Sequence, residues 1–115
     1  PQLATIAANL KNGVNALSTA SDWILANYDA APAAVHAGSV PFLKLTGIVV
    51  GGWLMAKSAQ VAAQRIAEGS SDSFYTAKLA TANYFAAHQL PFAAAYAAEV
   101  TGGADSVFVL DEPLF

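Results

Sequence analysis

Two histidines, eight carboxylates and a group of serines are the residues of this 115-residue sequence whose chemistry could serve a site. His36 and His88 are the histidines. A helical carboxylate metal motif places Glu three positions before His so that both ligands share a face, yet Phe85 stands three before His88 and Tyr84 four before. His88 therefore reads as a partly exposed or hydrogen-bonded helix histidine. Of the acids, Asp22, Asp29, Glu68, Asp72, Glu99 and Asp105 fall mostly at the ends of predicted helices or in connectors, where carboxylates cap or are solvated. Only Asp111 and Glu112 adjoin, on the tail. Ser70, Ser71 and Ser73 lack the G-x-S-x-G elbow that would mark a nucleophile, and connector polarity accounts for them. No catalytic, cofactor-binding or metal-binding residue is assigned from these patterns.

The aromatic residues raise the same question. Trp23, Trp53, Phe74, Tyr75, Tyr84, Phe85, Phe92 and Tyr96 could line a flavin or acyl pocket, but aromatics at helical spacing more often belong to a core or an interface. Taken together they leave more apolar surface than a few helices can hide among themselves, as in a domain that docks onto something.

The elements that carry these residues read as helices. Leu3, Ile6, Leu10, Val14, Leu17, Ile24 and Tyr28 recur at three, four or seven residues, with Asn9, Lys11, Asn12 and Asn15 off the stripe, which predicts a helix over about Leu3 to Asn27. "DAAPAAVHAGSVP" then reads as a loop in which the alanines can still form a turn of helix. A second helix is predicted from near Pro41, a residue suited to a first turn, to about Ala67, with Gly69 as its stop. Asp72 or Ser73 caps a third helix, with a stripe of Tyr75, Leu79, Ala82, Phe85, Gln89, Phe92, Tyr96 and Val100 that continues through a kink at Pro91. Gly102 and Gly103 end it, and "ADSVFVLDEPLF" is a short C-terminal tail, extended or loosely helical, laid on the bundle. The expected fold is all-α: an antiparallel up-down helical bundle of three long helices, one domain over residues 1–115.

"LKLTGIVVGGWLMAKS", in the second helix, has three possible uses. The interval between Lys44 and Lys57 holds roughly twelve residues, or about 18 Å of helix against ~30 Å of hydrocarbon, so it is too short for a membrane span. Its glycines, Gly47, Gly51 and Gly52, do not match the G-x-G-x-x-G of a dinucleotide loop. Glycines four apart instead share a helical face on which another backbone can come close, with Gly52 and Ala56 extending it, so this helix is expected to be covered by protein.

Composition narrows the class. Charged residues are 11% of the chain and the apolar set 56%, against about 25% and 45–50% in ordinary soluble domains, so too few charges exist to cover an exposed surface. A net charge of −3 and five scattered basic residues give no footprint for nucleic acid. There is no cysteine, hence no disulfide framework or thiolate metal site, and no leader pattern, which makes a cytoplasmic setting the default expectation. The opening "PQLATIAANL", without an initiator methionine, reads as a piece of something longer.

"PFLKLTGIVVGGWLMAKSA" and "FYTAKLATANYFAAHQLPFAAAYAAEVTGGADSVFVLDE" resemble the extra C-terminal domain that follows the catalytic core in the methylmercaptopropionyl-CoA dehydrogenase branch of the acyl-CoA dehydrogenases. The resemblance covers nearly the whole chain. It is most specific at Gly51-Gly52-Trp53, Phe74-Tyr75 to Ala80 with Lys78, His88 to Pro91, and Gly103-Ala104-Asp105. It implies a parent enzyme that oxidises acyl-CoA to trans-2-enoyl-CoA with FAD and passes electrons to an electron-transfer flavoprotein. It also implies that this piece has a structural or interface role, and the apolar patch, which would otherwise face water, predicts that the piece self-associates as a homo-oligomer. The family's catalytic glutamate and its flavin and CoA loops belong to the preceding core, so no residue here inherits them. The alternative is a free-standing amphipathic helical adaptor that coats apolar lipid or polymer surfaces.

Overall fold

The computed structural model describes residues 2–110 and 112–114, and those residues are all helix and turn. α1 (Gln2–Asn27), α2 (Pro32–Ala37), α3 (Ser39–Ala67), α4 (Ser73–His88), α5 (Phe92–Gly102) and α6 (Ala104–Val107) precede a short 3-10 turn, Glu112–Leu114. Pro1, Asp111 and Phe115 lie outside the described residues, and with them the acidic pair of Asp111 and Glu112.

Small residues decide how the long helices meet. On α1 the buried positions are Ile6, Gly13 and Ala20, seven apart, with Leu10 and Leu17 half-buried between them and Ile24 half-buried beyond. α3 buries Leu45, Val49, Gly52, Ala59 and Ala62; α4 buries Ala82 and Ala86; α5 buries Ala93, Ala97 and Val100. Positions three and four apart share a helical face, and alanine or glycine there lets the axes come close. One cluster joins Ala20 of α1, Leu45 and Val49 of α3, and Ala93, Ala97 and Val100 of α5. The other joins Ile6 near the start of α1, Ala59 near the end of α3, and Ala82 and Ala86 of α4 with Leu90. The start of α1 thus meets the end of α3, and the end of α1 meets its beginning. That pairing is the up-down-up order the sequence predicts, with α4 and α5 together forming the third arm.

The helix ends follow from local chemistry. Glycine at position 69 takes φ +96, the left-handed conformation, while Ser70 N–H donates to the Arg65 carbonyl and Gly69 N–H to that of Ile66, closing α3 as a Schellman motif. Asp72 caps α4, its Oδ1 accepting from Phe74 N–H at 2.9 Å. We expect Asp72→Ala to cost about 1 kcal/mol, read as a lower midpoint in thermal unfolding. An unchanged midpoint would mean that water replaces the cap.

Three expectations are corrected. The third helix does not continue through a kink: it stops at His88 and restarts at Phe92, because Pro91 has no N–H for the Ala87 carbonyl, and the turn at 89–91 swings Leu90 inward. The buried stripe beyond Ala82 is Ala86, Leu90, Ala93, Ala97 and Val100 rather than Phe85, Gln89, Phe92 and Tyr96, since close approach selects the alanines. Asn9, set off the stripe, lies at the packing edge instead, where its Nδ2 donates to the Ala86 carbonyl at 2.9 Å and ties α1 to α4. The tail forms α6, which packs on α2, while Val107, Phe108 and Val109 all remain exposed.

Candidate docking surface

No buried side chain is polar or charged among the described residues, so the residues first considered for chemistry all sit outside the core. Exposed His36 meets the edge of Tyr28, and exposed His88 stacks on Tyr84 with ring centroids 4.5 Å apart. Glu68 pairs with Arg65 at 3.7 Å, Asp72 is occupied as a cap, and the Ser70 hydroxyl accepts from Asp72 N–H. Among the described residues no group of three His, Asp or Glu side chains converges on a metal-sized site. What the fold assembles is apolar surface.

The amount is large. A compact chain of 11.8 kDa should expose about 5,900 Å² and have a radius of gyration near ~13 Å. This one exposes 7329 Å², with a radius of gyration of 18.4 Å and extents of 66 × 28 × 17 Å. The surplus is a flat slab's surface. Among the described residues the largest fully buried side chains are Leu45 and Val100, whereas Leu43 is 72% exposed and Trp53, Leu54, Val61, Phe74, Tyr84 and Phe92 are each about half exposed or more.

α3 concentrates this exposure. With about 100° between successive residues, Leu43, Gly47, Val50, Leu54, Lys57 and Val61 fall on one line along the helix, opposite the line of Leu45, Val49, Gly52 and Ala59 that packs inward. α3 is apolar on both faces while only one is covered. Beside the outer line, Leu54, Val61, Phe74 and Tyr75 line a groove of about 510 Å³ between α3 and α4, with Lys57 and Lys78 at its rim. Each ammonium rests over its own helix's aromatic ring, Lys57 4.6 Å from the centroid of Trp53 and Lys78 5.5 Å from that of Phe74.

The uncharged interval between Lys44 and Lys57 is only part of α3, which runs 29 residues and is long and apolar enough to cross a membrane by length and composition, with 17% of its most apolar window buried. Length therefore does not exclude a span, contrary to expectation. The protein-covered reading rests instead on packing. α1, α4 and α5 all close on the inner face of α3, and a span would carry Lys11, Asn12 and Lys78 into hydrocarbon with it.

The glycines of α3 divide by face. A Cβ on Gly52 would lie 2.6 Å from Leu90 Cδ2, and one on Gly51 would lie 3.2 Å from Phe85 Cζ, whereas one on Gly47 would meet nothing within 4 Å. Close approach is therefore made at Gly52 and Gly51, not at Gly47 as expected. Gly51→Leu should push the half-buried Phe85 ring aside and lower stability by ~1–3 kcal/mol. A raised melting temperature would show that the ring moves freely.

Comparison with known proteins places these features. A family described as "Acetyl-CoA dehydrogenase C-terminal like" matches residues 1–111. The chain is 37% identical over 102 residues to a 3-methylmercaptopropionyl-CoA dehydrogenase of Ruegeria pomeroyi, which is 89% of this chain and 17% of that protein. It is 34% identical over 84 residues to the broad-specificity linear acyl-CoA dehydrogenase FadE5 of Mycobacterium tuberculosis, 70% of this chain and 14% of that one. The match thus spans 17% of the length of the first relative and 14% of the second.

Proposed function

We propose, since the chain belongs to the acetyl-CoA dehydrogenase C-terminal-like family, that it is one accessory domain of an FAD-dependent acyl-CoA dehydrogenase and holds its assembly together rather than performing its chemistry. The observation that carries this reading is the uncovered apolar face of α3, which a slab lying against a catalytic core would bury. In the parent, FAD would accept the hydride as an acyl-CoA becomes a trans-2-enoyl-CoA. The described residues here do not fit a flavin: the 510 Å³ groove is apolar walled, and no buried polar side chain awaits the ring nitrogens or the pyrophosphate. No step of the oxidation runs through them. A cytoplasmic homo-oligomer that reduces an electron-transfer flavoprotein completes the reading.

Two titrations test it. FAD added to the 115-residue chain should show no saturable binding, while the chain added to a flavin-loaded dehydrogenase core lacking this domain should form a stoichiometric complex. Stoichiometric flavin binding with acyl-CoA turnover by the chain alone would overturn the proposal. Binding to lipid vesicles in preference to the core would favour the surface-coating adaptor.

A further inference from the structure

The charges of this chain are not spread evenly. α3, α4 and the connector between them hold Lys44, Lys57, Arg65 and Lys78 against Glu68 and Asp72, a net charge of +2, while the rest of the chain holds Lys11 and six acidic side chains, a net charge of −5 within the total of −3. The helices that bear the uncovered apolar face are thus the basic part of an acidic chain. Their two acids are already engaged, Glu68 with Arg65 and Asp72 as the cap of α4.

Two of these cations stand at the groove between α3 and α4, and the same device holds each. Trp53 precedes Lys57 by four residues on α3, and Phe74 precedes Lys78 by four on α4, so each ammonium lies over a ring of its own helix at the rim of the groove. Lys57 is exposed and Lys78 half-buried, and among the described residues neither has a carboxylate within ion-pair distance. A wholly apolar partner closing on this groove would strip water from two unpaired ammoniums, a cost that opposite charge offsets. We propose that the groove takes an apolar ridge of the parent's catalytic core that carries carboxylates at its edges, one for Lys57 and one for Lys78. The inference rests on the reading that the core covers this face, and it states the chemistry of the segment that does so. The same face of a second copy would bring ammoniums to ammoniums, and two lysines fall short of the cluster of about four to eight that marks an anionic membrane site.

Carbodiimide, which joins an amine to a carboxylate it touches, tests the pairing in the complex of the 115-residue chain with a flavin-loaded dehydrogenase core lacking this domain. Lys57 and Lys78 should be the lysines coupled to Asp or Glu of the core, read as linked peptides by mass spectrometry. Lys57→Gln together with Lys78→Gln should weaken the complex about tenfold at low salt and flatten the fall of affinity with added salt, since charges at a rim act through screened attraction. Lys57→Arg with Lys78→Arg should restore both, and Lys11→Gln should change neither. Core links through Lys11 or Lys44 alone, or links only between two copies of the chain, would overturn the inference. A doubly Gln-substituted chain that binds the core with unchanged affinity and salt dependence would overturn it too, and leave the proposed function standing. An unaltered chain that binds anionic vesicles but forms no complex with the core at any salt would instead overturn the proposed function on which the inference stands.

Discussion

Replacing Gly52 by leucine will lower the melting temperature of the chain by roughly 8 °C. Even a Cβ at this position would stand 2.6 Å from Leu90 Cδ2 and 3.1 Å from Leu90 Cδ1 and Cγ, inside contact distance. Leu90 has little room to retreat, since it is 2% exposed and its Cδ2 already lies 3.3 Å from where a Cβ on Gly13 would be. It is wedged between α1 and α3. The intrinsic gain of about 0.8–1 kcal/mol from removing a helix glycine is smaller than the overpacking cost, which for a side chain this large should reach ~3 kcal/mol. At ~4 °C per kcal/mol the net loss of about 2 kcal/mol gives the shift stated. Leu90→Ala in the same chain should recover part of the loss, a coupling of about 0.5–3 kcal/mol in a double-mutant cycle. Additive effects would show that the two residues do not share this space.

Leu45→Ala should cost about 2–5 kcal/mol, because Leu45 is fully buried between α1 and α5 and alanine would leave a cavity. Leu43→Ala, two residues away and 72% exposed, should change the stability of the single chain by no more than ~0.5 kcal/mol. Urea unfolding separates them, with a lower midpoint at constant slope for the first and little change for the second. Equal effects would mean that the two faces of α3 are not distinguished as described.

That contrast also shows what could be read from residues alone. The extents of α1 and α3, the stop at Gly69 and the cap at Asp72 were legible because each depends on neighbours in sequence: a periodic run, a glycine free to take positive φ, a carboxylate two residues before the N–H it accepts from. The buried face of the third arm was not. Size-weighted reading chose Phe85, Phe92 and Tyr96, whereas Ala86, Ala93 and Ala97 face inward because the helices touch through their smallest residues. The same physics separates Gly52 from Gly47, since both continue the apolar run and only the rotation of α3 against Leu90 tells which is closely packed. Pro91 announced a disturbance, but whether an arm bends or breaks there depends on Leu90 finding a place between Gly13 and Gly52.

The exposed apolar face was legible only in aggregate. Low charge and high apolar content pointed to more apolar surface than the helices bury, and the rotation of α3 says which line of residues carries it. Hydroxyl-radical footprinting of Leu43, Trp53, Leu54 and Phe74, compared between the 115-residue chain at low concentration and the same chain assembled in the proposed parent dehydrogenase, tests the proposed function most directly. Strong protection of these side chains in the assembly, with Leu45 unreactive in both states, is the predicted result. Equal reactivity in the two states would contradict the claim that this domain works by burying the outer face of α3.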